Sequence, residues 1–336
     1  MAKIKISIII KALNEEKNIA RCITSIITAT KNIDSEIILV DSLSTDNTIA
    51  IAKNFPIKII QLKHTSDRSC GIGPQIGYLF SKGEYIFLID GDMELEETFI
   101  QKALDYMRKN RNIDGVNGFT KNVSNQVRDT KSDTYSKTKD VDSLIYCGLY
   151  RKKSIDNILF FTNPYLFSSE DTDLGYRILN AGGKLKQLPL HAVTHYYHLD
   201  KNPFKTLILK FKRGYFFGYG QVIKFHLKNS DILKKYLIKF KRPLVLSLIQ
   251  VSLVIGLLAI PFNTLLLKIV GSIYLSILIL LMILKRSLSQ GIYSFITTNL
   301  QAVGLLIGIC LPKKDPLQFE PRVKIIKELR IKSWRL

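Results

Sequence analysis

The chain has 336 residues, enough for one sizeable domain and an appended region. Its formal net charge of +21 is unevenly spread: the first 200 residues are nearly neutral, with 26 basic and 24 acidic side chains. The excess lies at 201–242 (net +11) and 312–336 (net +5), on either side of the apolar region 243–311. This distribution argues against a nucleic-acid partner and favours basic segments that face membrane lipids.

Strand and helix patterns alternate over the first 120 residues. Apolar, β-branched runs predict strands at Ile4–Ile10, Glu36–Val40, Ile57–Gln61, Tyr85–Ile89 and Gly115–Phe119. Helical spacing predicts a helix capped by Asn14, a short helix after Ser44, and helices at Gly71–Ser81 and Phe99–Arg108. The alternation predicts an α/β fold with a mostly parallel sheet covered on both faces.

Acidic residues follow three of these predicted strands. Glu15 comes shortly after the first, Asp41 ends the second, and Asp90 and Asp92 end the fourth. Ligands of such sheets bind beyond the carboxyl ends of the strands, so we expect these acids to converge there. Asp90-Gly91-Asp92 taken alone is equally consistent with a strand-ending turn.

The segments after residue 120 are less regular. Residues 120–145 are polar and weakly patterned, which suggests a mobile insertion over the site. Glu170–Asn180 is predicted to be a helix with acids at its N-terminus, where they would complement the helix dipole. Apolar, aromatic and basic residues mix at 204–225, as in a helix lying at a membrane interface.

The apolar region predicts membrane helices. Residues 243–260 and 264–284 each approach the roughly 20 residues that span a bilayer, and 291–311 is a third segment, either spanning or re-entrant. Buried helices of a large soluble domain are the alternative. Lys241-Arg242 and Lys285-Arg286 flank the first two segments, so the positive-inside rule puts both basic pairs on the cytoplasmic side.

Four segments together resemble the successive motifs of family-two glycosyltransferases, which have the GT-A fold and use nucleotide-activated sugars. They are Ser7–Glu16 (SIIIKALNEE), Glu36–Thr48 (EIILVDSLSTDNT), Gly83–Asp92 (GEYIFLIDGD) and Ser169–Arg177 (SEDTDLGYR). The resemblance covers about residues 4–200. The predicted organisation is therefore a catalytic domain at 1–200, a basic interfacial region at 201–242, a membrane region at 243–311 and a basic cytoplasmic tail at 312–336.

The resemblance also implies roles for single residues. Asp90-Gly91-Asp92 is similar to the family's Asp-x-Asp motif, which implies Asp92 as a ligand of Mg²⁺ or Mn²⁺ and Asp90 facing the ribose and the metal. His195 is implied as a further ligand of the metal, with His198 as the second choice. The remaining roles are implied for four acids: Glu15 and Asp41 hold the nucleoside, Asp171 is the catalytic base and Glu170 is its neighbour or an acceptor contact.

The sequence departs from the family pattern at two places. Lys11 and Leu13 stand where the family usually has proline and an aromatic residue, and Pro74-Gln75 stands where many members have Arg-Asn. Arg68 could supply the missing positive charge to the nucleotide sugar, although a solvated loop arginine is the simpler interpretation.

The expected function is a metal-dependent, inverting glycosyltransferase at the cytoplasmic face of the cell membrane, anchored by several passes. It would move a sugar from a nucleotide-diphosphate donor to a lipid-linked acceptor in cell-surface glycan synthesis. The alternatives are a nucleotidyltransferase of the same fold and a non-catalytic membrane adaptor. A nucleotidyltransferase usually has a glycine-rich basic first loop, whereas here that loop is Lys-Ala-Leu-Asn-Glu.

Overall fold

The computed structural model describes residues 5–124, 137–197, 202–259 and 264–328. They form two compact units. The first unit joins the residues before 200 to those from Lys314 onward, and the second comprises the residues from 200 to Lys313.

A ten-stranded sheet forms the centre of the first unit. Its strands are β1 (Ile6–Ala12), β2 (Ser35–Asp41), β3 (Lys58–Leu62), β4 (Tyr85–Asp90), β5 (Met93–Leu95), β6 (Gly115–Ser124), β7 (Lys139–Asp140), β8 (Gly148–Arg151), β9 (Leu185–Tyr197) and β10 (Val323–Lys327). They lie in the order β10-β3-β2-β1-β4-β8-β6-β9-β5, with β7 paired to β9.

The sheet is mixed, which corrects the prediction of a mostly parallel one. The pairs β1–β2, β1–β4, β2–β3 and β6–β9 are parallel. The pairs β10–β3, β4–β8, β5–β9, β6–β8 and β7–β9 are antiparallel. Strands β1 to β4 form a continuous parallel part, and they correspond to the first four strands that the sequence pattern predicted. The fifth predicted strand is the beginning of β6.

Helices cover both faces of the sheet. They are α1 (Ile19–Ala29), α2 (Thr48–Ala52), α3 (Ile72–Leu79), α4 (Phe99–Lys109), α5 (Lys152–Asn157) and α6 (Glu170–Asn180). The apolar faces of α1, α2 and α4 pack in one core cluster, and those of α3, α5 and α6 in another. The isoleucines of β1 alternate between the two clusters, because successive side chains of a strand point to opposite faces.

Three local predictions differ from the structure. Asn14 does not cap a helix: it has φ +60°, its side chain accepts a hydrogen bond from the Thr45 amide at 2.8 Å, and α1 begins at Ile19. Residues 120–124, predicted as part of a mobile insertion, continue β6, and 125–136 lie outside the described residues. The long strand β9 has no strong alternating pattern and was not predicted.

The C-terminal segment belongs to the first unit. Strand β10 pairs antiparallel with β3, and Arg322 forms an ion pair with Asp67. Phe319 packs edge-to-face against Tyr165, with 5.9 Å between the ring centroids. The sequence predicted a basic cytoplasmic tail at 312–336; within its described part, Val323–Lys327 forms the edge strand β10.

The second unit is helical. Its helices are α7 (Pro203–Lys212), α8 (Gly218–Phe225), α9 (Ser230–Lys239), α10 (Lys241–Ala259), α11 (Thr264–Lys285) and α12 (Leu288–Cys310). The three predicted apolar segments are thus all helical. Among the described residues, α12 alone is long and apolar enough to cross a membrane, with a mean hydropathy of 1.5. Its C-terminal half packs closely on α8, where Gly220 lies against the Leu305 carbonyl.

Candidate active site

Three parallel strands bring the predicted acids to one edge of the sheet. In the pairing of β1 with its neighbours, Ala12 lies beside Asp41 of β2, and Lys11 lies beside Asp90 of β4. The carboxyl ends of β1, β2 and β4 are therefore aligned at one edge of the sheet. Glu15, Asp41 and Asp90 lie at this edge, as the sequence predicted.

Asp41 forms a buried acceptor site. One carboxylate oxygen, Oδ2, accepts hydrogen bonds from Gln61 Nε2 at 2.7 Å and from the Ser44 amide at 3.0 Å. The other oxygen, Oδ1, is buried and has no hydrogen-bond partner among the described residues. A buried acceptor without a donor is costly, so Oδ1 is suited to accept a hydrogen bond from a ligand.

Arg68 holds the loop that follows Asp41. Its Nε donates to the Ser42 carbonyl at 2.7 Å and its Nη2 to the Leu43 carbonyl at 2.6 Å. Leu43 has φ +63°, a left-handed conformation that a leucine adopts only when its surroundings hold it there. Arg68 is thus partly buried and bonded to this loop, and its contact with a nucleotide sugar stays a prediction.

Lys11 connects Asp90 to Glu170. Its Nζ lies 3.2 Å from Asp90 Oδ1 and 3.1 Å from Glu170 Oε1, so one ammonium faces two carboxylates. Burial opposes its charge, but Asp90, Glu170 and Asp171 together raise the pKa of Lys11 well above its usual value. Burial raises the pKa of Asp90 to about 6, against the opposing effect of Lys11.

Asp92 and His195 form a second pair. His195 Nε2 lies 3.1 Å from Asp92 Oδ2, and His195 Nδ1 lies 3.2 Å from Asn122 Oδ1. Burial would lower the pKa of His195, but the hydrogen bond and charge of Asp92 raise it above the usual value. The ring also stacks on Tyr197, and Tyr146 lies close by at 5.7 Å between centroids. Strand β9 delivers His195 here because it pairs with both β5 and β6.

Glu15 lies next to the Asp90–Asp92 turn. An added Cβ at Gly91 would lie 3.2 Å from Glu15 Cγ, which shows how closely the two backbone segments approach. Burial, with smaller contributions from Asp92 and Asp90, raises the pKa of Glu15 to about 7 despite a hydrogen bond from Asn18. Three acids thus crowd a small volume that attracts positive charge.

Helix α6 presents Glu170 and Asp171 at its N-terminus. It begins after Ser169, which has φ +66°, and is fixed one turn later by a buried ion pair of 2.8 Å between Arg177 Nε and Asp173 Oδ2. Arg177 also donates to the carbonyls of Phe160 and Phe161. Asp173 therefore anchors the helix through this buried pair, while Asp171 is only partly buried at the helix start.

A divalent cation is compatible with this chemistry. No three His, Cys, Asp or Glu side chains within the described ranges already surround one point as metal ligands. However, Asp92 Oδ1 and Asp90 Oδ1 are both buried with no hydrogen-bond partner among those residues. Asp90 Oδ1 lies in an ion pair 3.2 Å from Lys11 Nζ, and Oδ2 of Asp92 faces His195. Mg²⁺ in nucleotide sites is commonly held by one or two carboxylates together with substrate phosphates, so this donor set fits.

Sequence reasoning missed four residues of this region. Gln61 was not foreseen as the partner of Asp41, nor were Asn122 and Tyr146 as neighbours of His195. Lys11 was noted only as a departure from the family pattern. A signal for Lys11 exists in the sequence, because a lysine after five apolar or small strand residues needs a buried partner.

Known proteins resemble this chain in sequence and in fold. Residues 7–165 match the model of Glycosyl transferase family 2. An uncharacterised glycosyltransferase of Rickettsia typhi is 35% identical over 118 residues, which are 33% of this chain and 35% of that protein. The poly(ribitol-phosphate) beta-N-acetylglucosaminyltransferase TarP of Staphylococcus aureus is 28% identical over 183 residues, covering 50% of this chain and 55% of TarP.

A solved structure shows the same fold. The crystal structure of S. aureus TarS 1-349 in complex with UDP-GlcNAc matches with a TM-score of 0.51 and 19% sequence identity, covering 69% of this chain and 71% of that one. The chain spans about a third of the Rickettsia relative and about half of TarP.

Proposed function

We propose that this chain is a metal-dependent, inverting glycosyltransferase that takes a sugar from a nucleotide-diphosphate donor. The observation that carries the proposal is the convergence of three features at one sheet edge within a family 2 domain. These are the buried Asp41 Oδ1, which has no hydrogen-bond partner among the described residues, the Asp92–His195 pair and the acidic N-terminus of α6.

The donor's nucleoside fits the Asp41 end of the edge. Asp41 Oδ1 would accept a hydrogen bond from an N–H group of the base, with Oδ2 already held by Gln61. Arg68 acts indirectly here by holding the loop after Asp41. Glu15 would contribute to holding the nucleoside and the cation, since its carboxylate lies beside the Asp90–Asp92 turn.

Transfer is an in-line displacement at the anomeric carbon. The acceptor oxygen forms a bond to that carbon while the bond from the carbon to the diphosphate oxygen breaks, and the electron pair leaves with the nucleoside diphosphate. Asp171 takes the proton of the acceptor hydroxyl. Asp92 and His195, with Asp90 beside them, would hold Mg²⁺ or Mn²⁺, and such a cation would offset the charge of the leaving diphosphate. Glu170 is occupied by Lys11 and is the weaker candidate for the base.

The membrane part of the proposal rests on the second unit. Several apolar side chains of α11 are exposed, and the largest exposed fractions are 64% for Leu265, 66% for Ile283 and 68% for Leu284. Such a surface fits lipid better than water. We infer that the chain is attached to the cell membrane with its catalytic unit in the cytoplasm, and that a lipid-linked acceptor of a cell-surface glycan meets the site there.

The strand pairing of the first unit supports an even number of membrane crossings. Strand β10 pairs with β3 in one sheet, so we infer that the chain between residues 200 and 313 crosses a membrane an even number of times. With the basic pairs at 241–242 and 285–286 on one side, α10 and α11 form the crossing hairpin. Helix α12, although it is long and apolar enough to span a membrane, would then be re-entrant or lie in the interface, because a third full crossing would make the number of crossings odd.

Nucleotide release from a panel of nucleotide sugars tests the activity, beginning with UDP-GlcNAc because TarP is named for N-acetylglucosamine transfer. Asp171→Asn should keep donor binding and lower transfer at least about 10²-fold, the scale of losing a general base. Asp105→Asn, a surface change on α4, is the matched control. Loss of donor binding with intact transfer chemistry would show that Asp171 has another role.

Thiol labelling of intact cells tests the topology. In a chain without its native cysteines, Asn263→Cys should react with a membrane-impermeant reagent, and Lys314→Cys and Lys109→Cys should not. Labelling of Lys314→Cys from outside would contradict the even number of crossings.

A further inference from the structure

A single lysine side chain lies between the two halves of the candidate site. Lys11 Nζ is 3.2 Å from Asp90 Oδ1, at the end of the strand that leads to Asp92. It also donates to Glu170 Oε1 at 3.1 Å, at the start of α6. The two acids are 80 residues apart in the sequence, and the lysine is far from both, so only the fold assembles this group.

The position of this ammonium is well defined. Lys11 is part of the buried strand β1, and its side chain is only 22% exposed. Helix α3 packs against its stem, since an added Cβ at Gly73 would lie 3.3 Å from Lys11 Cβ. A lysine on a buried strand needs compensating charge, and Asp90 and Glu170 supply it.

We propose that Lys11 is a built-in cation of the site, which occupies Asp90 and leaves Asp92 and His195 as the main ligands of a divalent cation. This inference rests on the proposed function in taking a divalent cation as part of the site. Lys11 acts through the two carboxylates that it contacts, so it is a positioning residue.

Two consequences follow from the charges. A divalent cation near Asp90 is repelled by the neighbouring ammonium, so wild-type affinity is lower than two free aspartates would give. Glu170 is held in the same ion pair, at 3.1 Å from Lys11 Nζ.

Binding of Mn²⁺ to the purified chain, followed by the electron paramagnetic resonance signal of free Mn²⁺, tests the proposal without any sugar donor. Lys11→Met should bind Mn²⁺ about tenfold more tightly than wild type, because it removes the repelling charge and frees Asp90. Lys11→Arg keeps the charge and should stay near wild type. Lys5→Met is the matched control: it removes a lysine paired with Glu84 at 2.7 Å, away from the site.

A second comparison keeps the test valid if Lys11→Met does not fold. In the wild-type background, Asp92→Asn should weaken Mn²⁺ binding at least about tenfold, and Asp90→Asn should weaken it much less. In the Lys11→Met background the loss from Asp90→Asn should become large. Unchanged or weaker Mn²⁺ binding by folded Lys11→Met would overturn the proposal, as would equal losses from the two aspartate changes in wild type.

The outcome is separable from that of the proposed function. If no nucleotide sugar is turned over but Lys11→Met binds Mn²⁺ more tightly than Lys5→Met, the assignment of Lys11 stands and the transferase proposal fails. If transfer is observed and Mn²⁺ affinity is the same in Lys11→Met and Lys5→Met, Lys11 is a structural ion pair and only this inference fails.

Discussion

Replacing Arg177 by methionine should destabilise the catalytic unit strongly. Arg177 and Asp173 form an ion pair at 2.8 Å with side-chain exposures of 8% and 0%. The guanidinium also donates to two backbone carbonyls, at 2.8 Å to Phe160 and 2.6 Å to Phe161. Removing one partner of a buried pair leaves the other charge in the interior, and such changes cost about 3–5 kcal/mol of unfolding free energy.

The matched control is Arg108→Met on α4. Arg108 pairs with Asp105 at 3.2 Å, but both side chains are about half exposed, at 49% and 46%. Solvent screening limits such pairs to less than about 1 kcal/mol. The two variants therefore remove the same chemical group from ion pairs within a helix that differ in burial.

Urea unfolding of the detergent-purified chain, followed by circular dichroism, measures both variants. The midpoint of the transition that reports the catalytic unit should fall clearly for Arg177→Met and barely for Arg108→Met. A loss of under about 1 kcal/mol for Arg177→Met would refute the reasoning, because it would mean that α6 is held without this buried pair.

Three further predictions concern the same unit. Gly77→Ala should destabilise it by about 1–3 kcal/mol in the same urea assay, since the new Cβ would lie 2.3 Å from Ile9 Cγ2 in a packed core. In cation-free buffer, Glu15→Gln should gain thermal stability over wild type as the pH rises from 5 to 8. The pKa of Glu15 is about 7 in the folded chain, against a usual value of 4.5, so the folded wild type binds a proton that the unfolded chain has released and it loses stability as the pH rises through that range. A difference in melting temperature between the two proteins that stays constant from pH 5 to pH 8 would contradict this. A chain ending at Lys313 lacks β10 and should aggregate more in light scattering than the full chain, because the edge of β3 is exposed; equal solubility would argue against it.

The sequence by itself determined the local elements on which the site depends. Strands β1 to β4 and helix α6 were predictable because continuous apolar runs and helical spacing are properties of short segments. Placing Asp41 and Asp90 at one edge followed as well, because parallel strands joined by helices end on the same side of a sheet. The resemblance to the family motifs then implied a role for each matching acidic residue along residues 4–200.

Tertiary structure decided everything that depends on distant pairing. The sheet is mixed because β8 and β10 run antiparallel to their neighbours, and the short β10 has no local pattern that specifies β3 as its partner. The contact of Lys11 with Glu170 joins residues 159 positions apart. A sequence pattern shows which side chains are charged. Whether a carboxylate lies in an ion pair or keeps an oxygen without a hydrogen-bond partner depends on distances that are set only when the strands and helices pack.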